Sequence, residues 1–165
     1  MKVLVIGDSC KDIFIYGNIK RMCPEAPVPV LNPIKEVENG GMTLNVVNNI
    51  ESLDVEVDYL TNETEIEKIR YVDYKTNQML LRIDKNDKCE RCNLKDVVWS
   101  EYDIVVLSDY NKGFLTTDDI LNICDKHECV FIDTKKEIGS WINKARYIKL
   151  NQFEYKNNKN YIIKN

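Results

Sequence analysis

Short apolar runs in this sequence end repeatedly in a carboxylate or an amide. VLVIG (3–7) is followed by Asp8, IVVLS (104–108) by Asp109 and YIKL (147–150) by Asn151, while VFID (130–133) closes on Asp133. Glu154 stands three residues beyond Asn151. If these runs are parallel strands, the four polar side chains share one rim of a sheet, where open α/β sheets take their ligands. Singly, each has a blander reading, because Asp and Asn also begin turns and cap helices. As a set they favour a binding rim.

The thiols are the other chemistry-bearing group. Cys89 and Cys92 form CERC, and Cys124, His127 and Cys129 crowd into CDKHEC. A zinc ion needs four converging ligands, which these two groups could supply. A single CxxC is a weak signal, however, and Cys124 and Cys129 fall on apolar positions of a helix and a strand. Reduced, mostly buried thiols are the expectation. With no export signal, disulfides are not expected. His127 is the sole histidine and is expected to interact with a helix C-terminus rather than act as a base.

The elements that must position these residues read as alternating strands and helices. Besides the four runs above, VEVDYL (55–60) is a further interior strand, and all are short and β-branched, as in a sheet covered on both faces. Helical periodicity appears in 43–53, with Leu44, Val47, Ile50 and Leu53 on one face and Thr43 as N-cap. It appears again in 116–128, which opens with a Thr-x-x-Asp capping pattern, and in the shorter segment 138–145. The alternation predicts a doubly wound α/β domain. Segments 13–21 and 27–39 are extended and proline-punctuated, and 69–84 reads as a hairpin around Lys75–Thr76–Asn77. These predict a small subsidiary sheet, with lid segments at about 13–39 and 69–84. The polar stretch after Tyr155 is expected to fray.

A length of 165 residues with 44% hydrophobic and 30% charged residues suits one soluble domain. The net charge of -4, without a basic stripe, gives no case for nucleic acid. The apolar start is too short for a signal peptide or a membrane span, which predicts a cytoplasmic protein with no membrane partner.

Several blocks then resemble, in family order, the N-terminal half of the ribokinase-like (PfkB) carbohydrate kinases. They are VLVIGDSCKDIFIYG, RMCPEAPVPV, GGMTLNVVNNIESL, NQMLLRID, VVLSDYNKG, FIDTKK and KLNQFE. The PEAPVPV run is similar to the branch acting on D-glycero-β-D-manno-heptose 7-phosphate. The resemblance implies a ribokinase-like α/β fold with a β lid, truncated, and a sugar or sugar phosphate as ligand. Asp12 would accept hydrogen bonds from sugar hydroxyls. Gly40 and Gly41 would let the sugar approach the backbone, and Asn45 would contact it. Arg82 would clamp a phosphate from the lid hairpin. Asp109, Lys112 and Lys135 would flank the substrate. Asn151 and Glu154 would complete an N-x-x-E element that organises Mg2+ through water.

ATP is the family's phosphoryl donor, bound around a G-A-G-D loop, and none of the six glycines here belongs to such a loop, a Walker loop or a GxGxxG. The resemblance therefore implies no catalytic residue in this chain. Only NETEIEK bridges DYLT to the lid hairpin, which implies a deleted internal block. Met42 and Thr43 stand where the family favours small residues, implying a narrower pocket. The expectation is a sugar-binding protein inactive by itself. The alternatives are a homodimer formed through the lid, or one half of a split kinase completed by a second polypeptide.

Overall fold

The computed structural model describes residues 1–164. In chain order the strands are β1 (Lys2–Gly7), β2 (Ser9–Met22), β3 (Pro29–Met42), β4 (Glu56–Leu60), β5 (Glu67–Asp73), β6 (Met79–Lys85), β7 (Ile104–Asp109), β8 (Val130–Thr134) and β9 (Tyr147–Lys149). The helices are α1 (Thr43–Glu51), α2 (Thr117–Lys126) and α3 (Gln152–Lys164).

The five apolar runs form one parallel sheet in the order β4-β1-β7-β8-β9. β1 shows why its sequence is continuously apolar. Val3 and Val5 pack with Val47 of α1 on one face, while Leu4 and Ile6 join Ile120 and Ile123 of α2 on the other. A strand covered on both sides cannot alternate. Ile6, Val105, Leu107, Ile120, Ile123, Val130 and Ile132 are each 1% exposed or less. Each such side chain contributes about 1.5–3 kcal/mol by leaving water. The helices thus lie on both faces of the sheet, as the alternation predicts.

The second sheet, ordered β3-β2-β5-β6, is the lid. β2 pairs antiparallel with β3 and parallel with β5, and β5 turns back into β6. The turn lies where the sequence places it: the Asp73 carboxylate accepts from the backbone N–H and hydroxyl of Thr76, and Asn77 takes φ 57°. Across the lid two rungs align on one face. One runs Asn39, Asp12, Lys68, Asp84, and the next Val37, Phe14, Arg70, Arg82.

Three local expectations are corrected. Thr43 is the first helical residue rather than the cap, and its buried hydroxyl donates to the carbonyl of Ser108 at 3.1 Å. The cap position falls to Met42, at φ 57° and ψ −121°. The segment 138–145 forms only a 3-10 turn, Ser140–Ile142. The tail does not fray after Tyr155 but continues in α3 to Lys164. Buried Asn158 fixes it, accepting from the N–H of Ile138 and donating to the carbonyl of Glu154, both at 2.8 Å. By contrast, the Thr116–Asp119 capping box forms as read, and Arg91 grips the same Asp119 carboxylate at 2.7 and 2.9 Å.

Candidate functional site

Two of the four strand-end residues, Asp8 and Asp109, turn inward, while Asp133 is half-buried against Lys149 and Asn151 is exposed. Asp8 is fully buried, and its carboxylate accepts from the backbone N–H groups of Tyr110, Lys112 and Phe114 at 2.6, 3.2 and 3.3 Å. It thereby shapes the loop after β7, where Asn111 has φ 60° and Gly113 φ 113°. A Cβ on Gly113 would lie 2.8 Å from the carbonyl oxygen of Cys89, so this turn requires glycine. The Cys89 thiol lies 3.7 Å from Asp8. Burial, then the charge of Asp8, pushes it up to about 12, and burial takes Cys92 to about 11. Both environments keep the thiols protonated. Among the described residues no three His, Cys, Asp or Glu side chains gather as a metal set. His127 is the C-cap residue of α2, and its ring bonds the carbonyl of Tyr102, the C-cap of the 3-10 turn Trp99–Glu101, at 2.9 Å and the N–H of Cys129 at 3.1 Å.

Asp109, expected beside the substrate, is instead saturated within the protein. Its side chain has no exposure, both oxygens meet the Lys136 ammonium at 2.7 and 2.8 Å, and the Thr134 hydroxyl donates to it as well. Lys112 is held by Asp87 at 2.6 Å. Lys135 pairs with Glu154. Asn151 and Glu154 form a reciprocal capping box at the start of α3: Glu154 accepts from the N–H of Asn151 at 2.8 Å, and the Asn151 amide oxygen accepts from the N–H of Glu154 at 2.9 Å. Burial opposes ionisation of Glu154, but hydrogen bonds from Lys135 and Asn151 hold its carboxyl below the ordinary value. These partners leave no open pair of oxygen donors for direct magnesium ligation.

Four of the sequence-selected residues do converge, at another place. A cavity of about 700 Å³ between the lid and α1 is lined by Asp12, Gly40, Asn45 and Arg82. The side chain of Asn45 is exposed and without a partner among the described residues. Gly41 underlies this arrangement, since a Cβ there would lie 2.3 Å from Oδ2 of Asp12 and 2.7 Å from Sγ of Cys10. Asp12 is paired at Oδ1 with Arg70, whose guanidinium also sits 5.0 Å from the ring centre of Phe14. Arg82 spends its fork on Asp84, at 2.6 and 2.8 Å. Asp109, Lys112, Lys135, Asn151 and Glu154 do not line the cavity.

Met42, expected to narrow the pocket, lines it as well, and sequence reasoning missed Lys68, Arg70 and Tyr110, which also line it. The signal for two of them was present: Lys68 and Arg70 are alternate residues of a strand and therefore share a face, and that face is the one carrying Asp12 and Arg82. Tyr110 connects the cavity to the strand-end cluster, with the Lys68 and Lys135 ammoniums each 5.6 Å from its ring centre.

No protein-family model matches the sequence. The chain is 33% identical over 192 aligned positions to the bifunctional protein HldE of one Helicobacter pylori strain, covering 93% of this chain and 42% of that protein. Against the HldE of a Nitratiruptor species it is 30% identical over 200 positions, covering 99% and 43%. The chain thus spans less than half the length of these curated relatives. Both alignments are longer than its 165 residues, so the relatives carry residues with no counterpart here. Among solved structures, Arabidopsis thaliana ribokinase complexed with ribose and ATP matches with a TM-score of 0.56 at 10% identity, over 98% of this chain and 67% of that one. Thermotoga maritima ribokinase matches with a TM-score of 0.52 at 17% identity, over 92% and 60%. In fold the chain is a ribokinase-like α/β protein, and in sequence it is related to the HldE proteins.

Proposed function

We propose that the chain binds a sugar or sugar phosphate in the cavity between the lid and α1 and does not transfer phosphate by itself. The observation that carries this reading is the meeting of Asp12, Gly40, Asn45 and Arg82 around one polar cavity, from four separate elements. Asn45 offers a free amide to donate and accept, and Oδ2 of Asp12 offers an acceptor beside Gly41. ATP is the second substrate expected of the fold, yet no G-A-G-D loop is present to cradle its phosphates. Any Mg2+ held by Asn151 and Glu154 would be held through water, because both side chains already cap α3 and Glu154 pairs with Lys135. Isothermal titration with phosphorylated heptoses and hexoses, alongside an ATP-turnover assay, tests both halves. Saturable sugar binding with no turnover is the predicted outcome; turnover by the isolated chain refutes the second half.

A second reading is that two copies pair through the lid. The lid face opposite the charged rungs is apolar and open, with Leu81 55% and Ile83 37% exposed beside an apolar groove formed with Val28, Leu31 and Tyr71. Sedimentation of Leu81→Glu against the native chain tests it: the native chain sediments as a dimer and the variant as a monomer, whereas a native monomer at all concentrations removes the reading. All six cysteines are free thiols, which suits the reducing cytoplasm. Among the described residues no helix is long and apolar enough to cross a membrane.

A further inference from the structure

Among the described residues, one cation of the cavity, Lys68, has no carboxylate paired with it directly. Lys68 is 8% exposed, and burying an ammonium is costly without a counter-charge. The two carboxylates on its own rung, Asp12 and Asp84, are held by Arg70 and Arg82. What Lys68 has instead is the thioether of Met42, with Nζ 3.1 Å from Sδ, and the face of Tyr110. A thioether is a weak acceptor. Three cations therefore face two carboxylates, and the surplus charge sits at the deepest of them.

Met42 also occupies the N-cap of α1 without a side-chain capping bond, so the positive end of the helix opens on the same place. Its positive φ belongs to a region that L-residues seldom adopt. Conformational strain and a poor acceptor are thus combined at one residue beside a buried lysine with no directly paired carboxylate. We propose that Lys68 anchors an anion subsite taking the phosphate of a phosphorylated sugar, and that Met42 is the stand-in acceptor which this phosphate displaces. This rests on reading the cavity as a sugar site. It moves the anion contact from Arg82, whose fork is already filled, to Lys68.

The test measures thermal midpoints and titration heats for the full chain and for Lys68→Met, Lys68→Arg and Met42→Ala. The probes are inorganic phosphate, mannose, mannose 6-phosphate, sedoheptulose 7-phosphate and ADP. The phosphorylated sugars are expected to bind the native chain about tenfold or more tighter than mannose, the size of one charge-assisted contact. Lys68→Met loses that preference, Lys68→Arg keeps most of it, and Met42→Ala, which removes the competing acceptor, increases it. In phosphate-free buffer Lys68→Met melts no lower than the native chain, because a buried charge has been removed. Equal affinity for mannose and its phosphate overturns the subsite and spares the sugar reading. An undiminished phosphate preference in Lys68→Met, or tighter binding of ADP than of either sugar phosphate, also overturns the subsite. A midpoint shift with inorganic phosphate that Lys68→Met loses, with no added effect of any sugar, keeps the subsite and removes the sugar reading.

Discussion

At Met42, glycine is expected to be more stabilising than alanine, the reverse of the usual order. Two terms are separable there. The side chain is 5% exposed, so shortening it removes burial and leaves a void, costing about 2–5 kcal/mol in either variant. The backbone lies at φ 57° and ψ −121°, where a Cβ is crowded and strain of about 1–3 kcal/mol is stored. Met42→Ala keeps that strain and Met42→Gly releases it. At an ordinary position glycine is worse than alanine by about 0.5–1 kcal/mol. Subtracting this from the released strain leaves Met42→Gly ahead of Met42→Ala by up to about 2 kcal/mol, with both below the native chain. Urea unfolding with unchanged slopes measures the difference, and for a chain of this size it amounts to several degrees of melting temperature. Should Met42→Ala prove the more stable of the two, the strained geometry at the head of α1 is wrong, and so is the account of Met42 as a stand-in acceptor.

Asp109→Asn is expected to cost about 3–5 kcal/mol, since it leaves the partly buried Lys136 ammonium without its carboxylate; a ligand-facing aspartate would move stability by less than about 0.5 kcal/mol. Glu154→Gln is expected to cost about 0.5–2 kcal/mol at neutral pH through the weakened cap of α3. Because the folded carboxyl lies below its ordinary 4.5, the native advantage is fully present above that pH and fades as pH falls through the folded value. Urea midpoints at pH 7 and pH 3 measure this, and a gap that does not shrink in acid contradicts it. Gly41→Ala places a methyl 2.3 Å from Oδ2 of Asp12 and is expected to destabilise by about 1–3 kcal/mol while abolishing sugar binding, read by titration at a temperature where the variant is folded.

The layout of elements was legible because it depends on local patterns. Continuous β-branched runs mark strands buried on both faces, Thr116-x-x-Asp119 marks a helix start, and Asp73 to Asn77 marks a turn. The direction in which a polar side chain points was not legible. Asp8 and Asp109 sit at strand ends as expected, yet one serves the backbone of the next loop and the other a lysine 27 residues away. N-x-x-E has the same spacing whether it caps its own helix or meets a ligand, and here Asn151 and Glu154 cap α3. Arg82 and Lys68 lie on one lid face, but only the side-chain geometry shows that Arg82 is held by Asp84, two residues along its own strand, while among the described residues no carboxylate pairs with Lys68. Helix α3 is tied down by Asn158 accepting from the N–H of Ile138, a contact across 20 residues that no local pattern announces.

The central claim, a sugar site between the lid and α1, is tested most directly by amide chemical-shift mapping of the isotope-labelled chain titrated with a heptose or hexose phosphate. Saturable changes confined to 10–14, 39–46, 67–71 and 108–112 are predicted. Changes centred on 133–136 and 151–158, or none at saturating sugar phosphate, contradict it.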